Sequence, residues 1–176
     1  MQEVQELSIV RNKKFTLIAL AVMAFIFIQS AMPADLSKAE SGTIVTWILQ
    51  TFHGVLPDDR ETASFIVRKT AHFTEYLILG TALLPAVKEW RTSSSGEQTV
   101  TKKNCLTAWL TGTIYAVTDE IHQCFVPGRS CELRDMCIDS AGVLAGVLIV
   151  ALILRNRGLR SSGSRTEARF RDRTEI

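Results

Sequence analysis

Residues Phe15 to Ala34 read FTLIALAVMAFIFIQSAMPA, a run without a single charged side chain. Its length, about 20 residues at ~1.5 Å each, matches the roughly 30 Å hydrocarbon core of a bilayer. Arg11, Lys13 and Lys14 stand just before it. A cleaved signal peptide shares a basic start and an apolar stretch. This run is longer than a signal core, however, and Met32-Pro33-Ala34 is a poor small-x-small cleavage site. We read an uncleaved membrane anchor, so the chain is an integral membrane protein and not a soluble domain.

Working outward, the next apolar stretch, Ile44 to Leu56 (IVTWILQTFHGVL), is too short to span. Val45, Ile48, Leu49 and Phe52 recur at helical spacing, and Trp47 and Phe52 suit a helix lying in the interface. Pro57-Asp58-Asp59 ends that element and can cap the next. The second span, Ala63 to Val87, carries Arg68, Lys69, His72 and Glu75 in its first half and is apolar in its second. The third, Cys105 to Val126, is apolar first and then carries Asp119, Glu120, His122 and Gln123. The fourth, Met136 to Leu154, is apolar except for Asp139, with Asp135 just outside.

The predicted fold is all-α: a four-helix transmembrane bundle with an interfacial amphipathic helix between the first and second spans. Residues 1–14 form a cytoplasmic segment and residues 15–154 the transmembrane domain. Residues 155–176 are arginine-rich with almost no aliphatic side chains, and are expected to be a disordered basic tail. The net charge of +2 thus hides a basic end and a more acidic middle. No aromatic interleaving accompanies the arginines, so nucleic acid is not an expected partner; membrane lipids are. Cys105, Cys124, Cys131 and Cys137 include no CxxC pair and no zinc spacing. Free thiols are the plain reading, and a disulfide between Cys124 and Cys131 stays open.

Basic flanks set the orientation. With the N-terminus inside, Arg11, Lys13 and Lys14 are cytoplasmic, as are Lys88, Arg91, Lys102 and Lys103 between the second and third spans, and the arginine tail. Both termini of this multi-pass cell-membrane protein are then cytoplasmic. The polar halves of the second, third and fourth spans then share the outer level.

A charge deep in a bilayer costs about 2.5–3.5 kcal/mol even on forgiving scales, so such groups must face one another, a cavity or water. Helical spacing supports convergence. His72, Glu75 and Tyr76 share a face, and Gln123 shares one with Asp119 and with Glu120. Asp135, Asp139, Gly142 and Gly146 form one stripe, in which Gly142-x-x-x-Gly146 invites close helix packing. The candidate ligand-binding set is Lys69, His72, Glu75, Tyr76, Asp119, Glu120, Gln123, Arg129, Asp135 and Asp139. Each has a plainer reading: His72 bonded to Glu75 or a carbonyl, Arg129 an ordinary turn cation, Asp119 or Glu120 reaching the headgroups. The carboxylates and His72 include donors suited to a divalent metal, yet they match no zinc signature. A salt-bridge network is preferred, and no metal or cofactor is assigned.

Two stretches carry more information: RKTAHFTEYLILGTALL from Arg68, and YAVTDEIHQCFVPGRSCELRDMCIDSAGVLAG from Tyr115. The pattern DExxQxFxPGRxxxxxD, Asp119 to Asp135, is the most specific element, joined by Arg68, Lys69, His72, Phe73, Glu75, Tyr76 and Gly80 in the first stretch. From Phe15 to Leu154 the chain resembles the VanZ-like family of bacterial membrane proteins. Asp139 departs from that pattern, where Asn is frequent, so a carboxyl-dependent role there transfers less readily. The resemblance implies a cell-envelope protein of a family whose namesake is associated with low-level teicoplanin resistance, and it supplies no reaction.

Three functions follow as expectations. In the preferred one an outward polar pocket engages a lipid-linked or anionic envelope ligand, with Arg129 and Lys69 holding a phosphate or carboxylate. In the second the chain is an enzyme on a lipid-linked precursor, with His72, Glu75, Asp119 and Glu120 as catalytic candidates. In the third the charges only lock the bundle or bind a partner.

Overall fold

A computed structural model describes residues 13–33, 42, 45–47, 50–51, 60–95 and 100–174. Four long helices organise them: α1 Lys14–Ser30, α2 Arg60–Ser95, α3 Lys102–Gln123 and α4 Leu133–Thr174. The described residues contain no strand, as the all-α expectation requires. Of the stretch read as an interfacial helix, residues 45–47 and 50–51 are helical, with Val45 buried and Trp47 exposed; the rest lies outside the described residues.

Local chemistry sets the ends. Thr101 caps α3, its hydroxyl accepting the Asn104 amide at 3.3 Å. Helix α1 stops at Ser30, three residues before a proline that cannot continue it. The backbone of α4 is helical to Thr174 and so runs on into the arginine-rich segment, residues 155–176.

Helix α2 packs against the other three helices, most extensively against α4. Glycines make that approach close. A Cβ on Gly142 would lie 2.6 Å from the Phe73 carbonyl oxygen, and one on Gly146 or Gly80 would press on the backbone of Leu77 or Val143. Small residues let helix backbones meet where lipid supplies no hydrophobic drive. Tyr76, Leu79, Leu84, Ala108, Ala116, Val143 and Val147 fill the core. Leu17, Ile18, Phe25, Ile28, Ile114 and Leu152 point outward. A water-soluble bundle would cover so much apolar surface.

One segment, Leu133–Asn156 with 24 residues, is long and apolar enough by itself to cross a membrane; Lys14–Ser30 is apolar but shorter. Charges in the first half of α2 and late in α3 dilute their apolar character. The helical architecture is the one expected from the sequence, and by composition one described helix is clearly membrane-spanning.

Candidate functional site

Asp119, near the end of α3, is the centre of a buried polar cluster. Its Oδ2 accepts from the Ser30 hydroxyl at 2.7 Å, the Tyr76 hydroxyl at 3.1 Å and the Gln123 amide at 3.3 Å. Helices α1, α2 and α3 thus meet at one carboxylate oxygen, while Oδ1 has no hydrogen-bond partner. Gln123 sits one turn beyond Asp119, which brings both side chains to the same face. Its Nε2 also reaches Ser30 Oγ at 3.4 Å.

The turn after α3 adds a cation. Gly128, at φ 75°, takes the left-handed conformation that lets the chain double back. Arg129 follows and folds inward. It donates from Nη1 to Gln123 Oε1 at 3.2 Å, from Nε to the Met32 carbonyl at 2.9 Å, and from Nη2 to the Gln29 carbonyl at 3.0 Å. The last carbonyls of a helix have no partner within it, so this guanidinium closes the C-terminal end of α1. Burial lowers the Arg129 pKa most, Asp119 raises it, and Arg68 lowers it again.

A second set surrounds the start of α4. Lys69 pairs with Asp135, joining α2 to α4. The Phe65 ring lies 5.2 Å from the Lys69 ammonium and 4.8 Å from the Arg134 guanidinium. Glu120 Oε1 accepts the Glu132 backbone amide at 3.0 Å, fixing the turn, while its Oε2 is unpartnered. Arg134 and then Ser130 bond Glu132 and hold its carboxyl below the usual range. Asp139 is 0 % exposed, and neither of its oxygens has a hydrogen-bond partner. Its charged neighbours are Glu120, Asp135, Asp119 and Glu75.

Every candidate named from sequence therefore lies at the end of the bundle that carries the α3–α4 turn. Their duties differ. Asp119, Tyr76 and Gln123 form the central network; Arg129 and Lys69 are engaged by protein groups; Asp139 is buried without a hydrogen-bond partner. His72 and Glu75, half-buried on α2, face the same region: His72 has Arg129, Asp135, Lys69 and Asp119 as charged neighbours, and Glu75 has Asp119 and Arg129. His72 Nδ1 is buried without a partner. Among the described residues no three His, Cys, Asp or Glu side chains are grouped to hold a metal ion.

Two participants were not among the sequence candidates. Ser30 is the only hydroxyl of α1 in this network, and its signal was a polar residue one turn before a proline at the end of an apolar run. Arg68 was visible as a charge within a span and as part of the family-like motif. Its Nε is buried with no partner among the described residues. All four cysteines are free. Cys124 Sγ donates to the Glu120 carbonyl at 3.6 Å, and the nearby Cys124, ahead of desolvation, pushes the Cys131 pKa up to about 11.

An all-helical bundle with an apolar exterior and ionisable groups buried at one end is the construction of a membrane protein. The VanZ/LLP1 family profile matches residues 15–154, and the chain belongs to that family. The match spans α1, α2 and α3 and runs through the apolar part of α4, so it takes in every residue of the cluster. No curated protein and no solved structure gives a match.

Proposed function

We propose that the chain is a four-span protein of the bacterial cytoplasmic membrane, with both termini inside, whose polar cluster faces outward and engages an anionic envelope ligand. The observation that carries this reading is the convergence of buried polar groups from all four helices at one end, several of them without partners. A purely structural network has reason to be saturated, because each buried unpaired polar group costs about 1–3 kcal/mol.

Orientation rests on the opposite end. Lys14 starts α1, Lys88 and Arg91 lie near the end of α2, and Lys102 and Lys103 start α3. The Phe15 amide donates to Glu89 Oε2 at 3.1 Å, which supports placing the first two of these groups together. Basic residues in short flanks favour the cytoplasmic side, so the polar cluster faces the envelope.

Occupying a headgroup-level anion site alters what a lipidated glycopeptide such as teicoplanin meets at the cell surface. That effect links the cluster to resistance. The test is expression in a teicoplanin-susceptible bacterium beside the double variant Arg68→Gln with Arg129→Gln, with membrane levels measured in parallel. The proposal expects the wild-type chain to raise the inhibitory concentration and the variant to abolish most of that rise at equal abundance. An undiminished effect of the variant refutes it.

A further inference from the structure

Holding an anion takes a cation that the protein itself leaves unused. The two obvious ones are committed. Arg129 spends its Nε and one nitrogen of each arm on Met32, Gln123 and Gln29, and Lys69 is paired with Asp135. Arg68 differs. Its Nε is buried without a partner, and no hydrogen bond or ion pair joins it to another described residue. One turn on, His72 presents a buried, unpartnered Nδ1 from the same face of α2.

Position along the helix adds to this. Arg68 precedes Tyr76, which reaches the central Asp119, by two turns, or about 12 Å of rise towards the start of α2. His72 stands halfway. In the outward orientation this sets the guanidinium near the level of lipid headgroups, with the Asp119 network below it. A planar guanidinium matches phosphate oxygens two at a time, which a point-charge lysine does not. An anion there also relieves the repulsion between Arg68 and the neighbouring Arg129.

We infer that Arg68, assisted by His72, is the phosphate-binding element of the cluster and takes the phosphomonoester headgroup of a membrane lipid, while Arg129 is a positioning residue that closes α1. This rests on the proposed function, whose anionic ligand it specifies. Bulk phosphate offers the same chemistry without the lipid tail.

The experiment uses the full chain in phosphatidylcholine nanodiscs, with binding and thermal midpoint measured for each variant. The probes are a polyprenyl monophosphate, the uncharged polyprenol and inorganic phosphate. Wild-type protein is expected to bind the lipid phosphate and not the polyprenol. Arg68→Gln is expected to weaken that binding about tenfold or more at an unchanged midpoint, as loss of a charge-assisted contact should. Arg129→Gln is expected to lower the midpoint while the folded fraction binds within about threefold of wild type.

The reverse pattern, tight binding by Arg68→Gln and loss with Arg129→Gln at an unchanged midpoint, overturns the assignment of Arg68 and leaves the anionic-ligand reading intact. Arg68-dependent binding of inorganic phosphate without lipid binding upholds the anion site and overturns the lipid as its source. Wild-type protein that binds no probe, or binds polyprenol equally well, overturns both the inference and the anionic-ligand reading.

Discussion

The two ends of the bundle are held in different ways. Towards the basic end, α2 and α4 meet through Gly80, Gly146, Val143 and Val147, with backbone against backbone and no charged group between. At the turn end, the same helices are kept together by Lys69–Asp135, and their neighbours by Asp119, Gln123 and Arg129. Close packing carries the α2–α4 contact at the first end. The second carries more polar groups than its hydrogen bonds use, and the proposed anionic ligand rests on that surplus. Gly142 lies between the two regimes, three residues after the buried Asp139 and against the Phe73 carbonyl.

The largest effect should come from breaking the close-packed end. Gly146→Val places a Cβ against the Leu77 backbone, which cannot move without separating the helices. We expect a loss of about 3 kcal/mol or more in the free energy of unfolding by SDS. A near-neutral result would mean that α2 and α4 do not approach as described.

Next comes the turn end. Arg129→Ala removes three hydrogen bonds, taking the guanidinium from the Met32 carbonyl and Gln123 Oε1, while the Gln29 carbonyl keeps the Met32 amide. A loss of about 2–3 kcal/mol is expected by the same titration. Combining it with Gly146→Val should give close to additive losses if the two ends are independent, and strong coupling would erase the distinction between them.

A smaller effect is expected at Asp139. Asn keeps its shape while removing a carboxyl that, among the described residues, has no cationic or hydrogen-bond partner in a fully buried place. Asp139→Asn should lie within about 1 kcal/mol of wild type or be more stable. A large loss would reveal a partner that only the carboxyl satisfies. The slightest change concerns Cys131. Because Cys124 holds its thiol up at about 11, maleimide labelling of Cys131 at pH 8 should be slow and should quicken in Cys124→Ser. An unchanged rate would show that the two thiols do not meet.

Much of this was legible in the residues. The helical period put His72, Glu75 and Tyr76 on one face and aligned Asp139 with Gly142 and Gly146, and hydrocarbon gave the charges no outlet but one another. The partners of Arg129 were not legible. Two of them are backbone carbonyls, which carry no side-chain signature, and they lie 97 and 100 residues away in sequence. Ser30 was hidden for a related reason: a hydroxyl at the end of an apolar run takes meaning only once Asp119 stands opposite. The pairing of Lys69 with Asp135 needed the close approach of α2 and α4, which the glycines permit but do not aim.

The convergence of α1 and α3 at the turn end is tested most directly by a cross-link. In a chain whose four cysteines are replaced by serine, Ser30→Cys and Gln123→Cys bring thiols to two side chains now in hydrogen-bond contact. A short bifunctional thiol reagent applied to membranes should join them, while Ser30→Cys with Val147→Cys should stay open. Failure of the first pair to cross-link, or equal cross-linking of both pairs, would contradict the account.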